Sequence, residues 1–221
     1  MRYLCLLLGT GAAVAGLIAG CQKSSEGTAV RAEAPIATSA TASPAEVPGV
    51  KETLRESIPP NAFLCFPKPG AGRATPATIA DAAAPRVTIS LPDGWTSKPG
   101  TGDVALNLQG PEGMSGTVSI VRTTLDPAAA FDKYADDLAK KAALSVINVR
   151  PAEFCGYSSQ KLFGNLSGPP EGPVDFADRI THIWTNTDDY VVAIHLQAPP
   201  RAAGFENAKN VLMQDFAVVL P

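Results

Sequence analysis

Apolar and polar positions alternate along much of the chain from residue 87 onward. Val87, Ile89 and Leu91 are separated by Thr88 and Ser90, and Pro92, Asp93 and Gly94 then turn the chain. Val104, Leu106 and Leu108 repeat the alternation, as do Val118 and Ile120 beside Thr117 and Ser119. A period of two predicts half-buried strands at 87–91, 104–108 and 117–124. The period then changes. After Asp126 and Pro127, an N-cap and first-turn pair, Phe131, Tyr134, Ala135, Leu138 and Ala142 recur at helical spacing. Asp132, Lys133, Asp136, Asp137, Lys140 and Lys141 take the other face, so an amphipathic helix of four or five turns is predicted. Further strands are predicted at 147–155, 159–166, 174–185 and 190–197. A closing helix carries Phe205, Ala208, Leu212 and Phe216, and a short strand is expected at 218–219.

The two longest strands set the architecture. Val174, Phe176, Ile180, His182 and Trp184 share one face of the first, with Ala177 and Ile183 on the other. In the second, Val192, Ile194 and Leu196 oppose Val191, Ala193 and His195. Apolar residues on both faces imply a covered sheet, and short connections imply antiparallel pairing. The expected fold class is α+β, a mainly antiparallel sheet with helices on both faces, in an α/β/α sandwich.

Upstream the pattern is different. Arg2 precedes an uncharged apolar run over 4–19, the charged start and apolar core of a secretory signal peptide. The run ends in Ile18, Ala19, Gly20 and Cys21, small residues before a cysteine, as in the bacterial lipobox. The expected organisation is a signal peptide at 1–20, lipidated Cys21 with a flexible Ala/Ser/Thr/Pro tether over 21–60, and a single α+β domain at 61–221. The tether contains no aromatic residue and too few large aliphatics to offset its conformational entropy. Within it, Val50, Leu54 and Ile58 are spaced for one face of a short helix. The Ala/Pro/Gly-rich stretch at 67–85 reads as a long covering loop. With 19 glycines, 20 prolines and a net charge of −3, the chain lacks the basic stripe of a nucleic-acid binder.

Five segments carry a family resemblance: VTISLPDGW (87–95), DPAAAFDKYADDL (126–138), FCGYSS (154–159), YVVAIHLQAP (190–199) and FENAKNVLMQDFAV (205–218). In this order, behind a lipobox and a tether, the chain resembles the LpqN/LpqT-type lipoproteins of mycobacteria, whose domain is similar to the PsbP-type α/β/α fold. The resemblance implies a secreted, membrane-anchored envelope protein and supplies no catalytic residues.

The candidate chemistry is sparse. With Cys5 in the signal and Cys21 lipidated, Cys65 and Cys155 remain, and two cysteines in an exported domain are expected to pair. His182 and His195, the only histidines, would face each other if Asp188 and Asp189 formed a two-residue turn. Two imidazoles do not complete a zinc site, and no metal or cofactor is expected. Ser115, in GMSG, lacks the last glycine of the nucleophile elbow, and Ser158 and Ser159 fail its spacing. Asp136–Asp137 and Asp188–Asp189 read as solvated charges. Thr28, Thr38, Ser39, Thr41 and Ser43 are candidate O-glycosylation positions in the tether, and the Asn165 sequon is discounted in a bacterium.

The expectation is a non-catalytic binding or accessory role for an envelope protein machine. The alternatives are a carrier or binder of an apolar envelope lipid, or a hydrolase without a recognisable motif. The expected partners are the membrane, through the N-terminal lipid anchor, and an envelope protein or apolar lipid, with no nucleic acid. The expected location is the outer face of the cytoplasmic membrane and cell envelope, with release of a fraction to the medium compatible with it.

Overall fold

The structure, a computed structural model, describes residues 46–221 apart from residue 69 and residues 169–171. Eleven strands and two helices follow in the order β1 (Phe63–Cys65), β2 (Arg73–Ala77), β3 (Arg86–Leu91), β4 (Thr96–Pro99), β5 (Val104–Gln109), β6 (Ser115–Thr123), α1 (Pro127–Lys140), β7 (Leu144–Pro151), β8 (Ser159–Gly168), β9 (Gly172–Trp184), β10 (Asp189–Ala198), α2 (Phe205–Leu212) and β11 (Ala217–Val219). The strands form two sheets rather than the one expected. The smaller runs β1-β11-β3-β2 and the larger β4-β5-β6-β10-β9-β8-β7. All pairings in both are antiparallel.

The α+β class follows from how alternation is used on β9 and β10. Phe176, Ile180 and Ala193 cluster with Phe131 and Leu138 of α1 and with Leu162 and Leu166 of β8. Ala177, Ile183, Val192, Ile194 and Leu196 belong to a second cluster, with Ala208 and Leu212 of α2 and Val87, Ile89 and Val218 of the small sheet. α1 starts where the sequence places it: the Asp126 carboxylate accepts the Ala129 N–H at 2.9 Å, and Pro127 fills the first turn.

Three expectations are corrected. The stretch 67–85 contains β2, which pairs with β3 through Arg73↔Leu91 and Ala77↔Val87. Its Ala/Pro composition hid a strand because β2 is an edge, where Pro76 removes no necessary ladder bond. No helix forms over 50–58. Instead, that part of the expected tether lies along the domain as an extended strap. Gln160 Nε2 donates to Pro48 O at 2.7 Å, and Ser159 N donates to Gly49 O at 2.9 Å. Lys51 N donates to Ser158 Oγ at 2.8 Å, and Asn186 holds both the N–H and the C=O of Ile58. Gly49 has φ 73°, and a Cβ there would collide with Ser159 O. Val50 packs on the α1 cluster, whereas Leu54 is 70% exposed, so the two do not share a buried face. The strap is fixed by hydrogen bonds to its backbone groups, mostly from side chains of the domain, and these need no apolar composition. That is why a composition argument misplaced the domain boundary near 60.

Candidate functional site

α1 packs over β7 and β9, and its apolar stripe is used up on the β8, β9 and β10 side chains of one cluster. The same side of the sheet continues onto β6 and β5, where Thr117 lies opposite His195, and Ser119 opposite Ala193. An open cavity of about 670 Å³ lies between these strands and the helix. Asn107, Gln109, Ser115, Thr117, Ser119 and Gln197 give it a polar lining. Val104, Val121, Leu138, Leu166 and Val174 give it an apolar one. Val121 stays 39% exposed there, a large apolar side chain without a cover.

A chain of hydrogen bonds ends in this cavity. Asp178 on β9 is fully buried, between Phe176 and Ile180 on its face of the strand. Its Oδ2 accepts from the Tyr134 hydroxyl at 3.0 Å, and its Oδ1 meets His195 Nδ1 at 2.6 Å. His195 Nε2 faces Gln197 Oε1 at 3.3 Å. Burial works against the imidazolium, but the Asp178 charge and hydrogen bond outweigh it and raise the His195 pKa above the ordinary value. Tyr134 is pushed well up, by burial first and then by the Asp178 charge, so it stays a neutral donor. Lys141 and Asp137 of the α1 end reach the cavity rim, and Asp137 is paired with Lys133 and Lys140.

No protein-family model matches the sequence, and no characterised protein matches it. Among solved structures the chain is similar to LpqN, involved in cell envelope biogenesis of Mycobacterium tuberculosis. The identity is 17% and the TM-score 0.49, over 66% of this chain and 91% of that one. It is also similar to cyanobacterial PsbP from Synechocystis, at 16% identity and a TM-score of 0.37, over 68% of this chain and 96% of that one.

The other candidate residues are distributed through the molecule. Cys65 and Cys155 form a disulfide, with Cα atoms 5.5 Å apart, joining β1 to the segment after β7. His182 and His195 do not face each other: the register pairs His182 with Val191 and His195 with Asp178. The turn between β9 and β10 is longer than two residues, since Asp189 already pairs with Trp184. His182 Nε2 lies 3.1 Å from Leu125 O, away from the cavity. Ser115 lines the cavity mouth, Ser158 holds the strap, and Ser159 Oγ donates to Ile180 O at 2.7 Å. Asp188 pairs with Arg122 and Asp189 with Arg55, so this pair is not free solvated charge, whereas Asp136 is exposed and Asp137 pairs with Lys133. Asn165 contacts Asp175 through its side-chain amide. Cys21, Thr28, Thr38, Ser39, Thr41 and Ser43 lie outside the described residues, as does the expected signal peptide. Sequence reasoning missed Asp178, Tyr134, Lys141 and Gln197. The signal for the first was present: a lone acid between Phe176 and Ile180 at an inward position of a strand is costly unless it is paired.

Proposed function

We propose that the protein is a lipid-anchored cell-envelope accessory protein whose domain binds a small envelope component in the cavity beneath α1, without catalysing a reaction. The observation that carries the reading is the cavity itself. Its 670 Å³ falls within the range of about 300–1,000 Å³ typical of small-molecule sites, and it combines apolar walls with a few convergent polar groups. The split of apolar residues between the two clusters supports a helix on each face of the large sheet. One face then serves the core and the other a ligand. Lipid anchorage and an envelope location rest on Cys21 and the residues before it. Among the described residues no helix is long and apolar enough to cross a membrane. The Asp178–His195 pair resembles an oriented base, yet His195 Nε2 meets an amide oxygen rather than a hydroxyl nucleophile, which favours binding over chemistry.

A second reading, docking of an envelope protein, is favoured by β7. It is the last strand of the large sheet, and it leaves Leu144 74% and Val146 60% exposed along an unpaired edge.

The test is a titration with phenylnaphthylamine, a neutral probe that brightens in apolar sites. Wild type is expected to brighten it, and Ser119→Phe, which fills the cavity from β6, to weaken binding by about tenfold. Unchanged binding in a variant with unchanged circular dichroism overturns the cavity reading.

A further inference from the structure

Resting on the cavity reading, we infer that the ligand is an amphiphile with an oxyanion head, a carboxylate or phosphate, held between His195 and Lys141 with its alkyl part along the apolar wall. Two cationic groups reach the same cavity from different elements. His195 rises from the β10 floor, and Lys141 follows the last residue of α1 at the rim. The Asp178 carboxylate is already engaged on both oxygens, by Tyr134 and His195. Asp137, the acid on the lining, is held by Lys133 and Lys140. Lys141 has no carboxylate within ion-pair distance among the described residues. β5, β6 and β8 add amides, hydroxyls and apolar groups to the lining, but no acid or base.

Lys141 is therefore left as an unpaired cation on the lining. Its effect is felt inside the site, where Lys141 disfavours protonation of His195 while Asp178 favours it. An anion between the two cations relieves that repulsion. The C-terminal end of a helix by itself repels an anion. Here Lys141, just past the last turn, supplies the positive charge that offsets this repulsion. The His195–Gln197 contact, at 3.3 Å, is long for a hydrogen bond to an imidazolium. A head-group oxygen at about 2.8 Å gives a stronger, charge-assisted one. Val104, Leu166 and Val174 then supply a wall for an alkyl chain, which an inorganic anion would leave unused.

The test is calorimetric titration of the full chain carrying Cys21→Ser, so that no acyl anchor competes. The probes are octanoate, octyl phosphate, octanol and inorganic phosphate. Octanoate and octyl phosphate are expected to bind about tenfold more tightly than octanol near pH 6, as one charge-assisted contact provides. Lys141→Met, at an exposed position, and His195→Gln are each expected to remove most of that difference. Binding of the anions should weaken as pH rises through the His195 pKa. If octanol binds as tightly as octanoate, the cavity reading stands and the anionic head is wrong. If inorganic phosphate binds as tightly as octyl phosphate, the site is a plain anion site and the amphiphile is wrong. If none of the alkyl compounds binds, both readings fail.

Discussion

Asp178 and Arg179 are neighbours on β9, and strand geometry sends them to opposite sides of the large sheet. Both are buried charges, but they are satisfied in different ways. Arg179 Nε donates to Ser159 Oγ at 3.0 Å, and Nη1 to Met213 O at 3.1 Å. Its Nη2 donates to Glu153 O at 2.6 Å and to Asp215 Oδ1 at 2.8 Å. The guanidinium ties β9 to β8, to the end of α2 and to the segment leading to Cys155, and its network closes on protein groups. The Asp178 network runs through Tyr134 and His195 and ends on a cavity. A buried charge whose partners are all internal holds a fold together. One whose chain opens onto empty space is available to a ligand. The pair shows how a single dipeptide can serve both ends.

The largest effect is expected on the closed side. Arg179→Met leaves the Met213 and Glu153 carbonyls and Ser159 Oγ without their donor while Asp215, 44% exposed, returns to water, and is expected to cost about 4 kcal/mol, at about 1–3 kcal/mol for each unsatisfied buried group. Denaturant unfolding measures it; a loss below about 1 kcal/mol would put Arg179 in the class of surface pairs and remove the contrast. The disulfide comes next. Replacing Cys65 and Cys155 together by Ala opens a bridge of sequence separation 90 and is expected to cost about 3 kcal/mol, mostly by releasing the unfolded chain. The bridge lies by Glu153, on the Arg179 side. Probe binding at the cavity should therefore persist in the fraction that remains folded, and its selective loss would show that the two sides are coupled.

Much of this contrast was legible in the sequence, unevenly. Alternation located most strands from Arg86 onward, and the 3.6-residue period with Asp126 and Pro127 located α1. Long, regular elements broadcast their faces in this way. β2, with the sequence RATPA, and β4, with TSKP, are edge strands whose pairing comes from backbone groups and neighbours. Their side chains carry little pattern. The strap at 48–58 was misread for the same reason. The site was legible only as an anomaly, Asp178 among apolar residues. Its partner depended on register: a turn of two residues would set His182 beside His195, and the longer turn sets Asp178 there instead. Loop length is a local property with a consequence for every pair beyond it.

The smallest effect, and the sharpest test of the open side, is the pH dependence of stability. Burial lowers the His195 pKa, but the Asp178 charge and hydrogen bond raise it more, so the folded value lies above the reference of 6.5. The folded state thus holds the proton more tightly than the unfolded chain. The stabilisation is fully present below about pH 6.5, the ordinary value, and is lost as pH rises through the folded pKa. Arg179 behaves otherwise. Burial lowers its pKa, with Asp215 opposing the shift, but a guanidinium stays protonated in proteins, so the closed side adds no slope there. Unfolding free energy of wild type should therefore fall relative to His195→Gln as pH increases from about 6 to about 8. Parallel curves for the two proteins, or a wild type that gains stability over this window, would mean that Asp178 does not hold the imidazolium. The cavity would then have lost the cation on its floor.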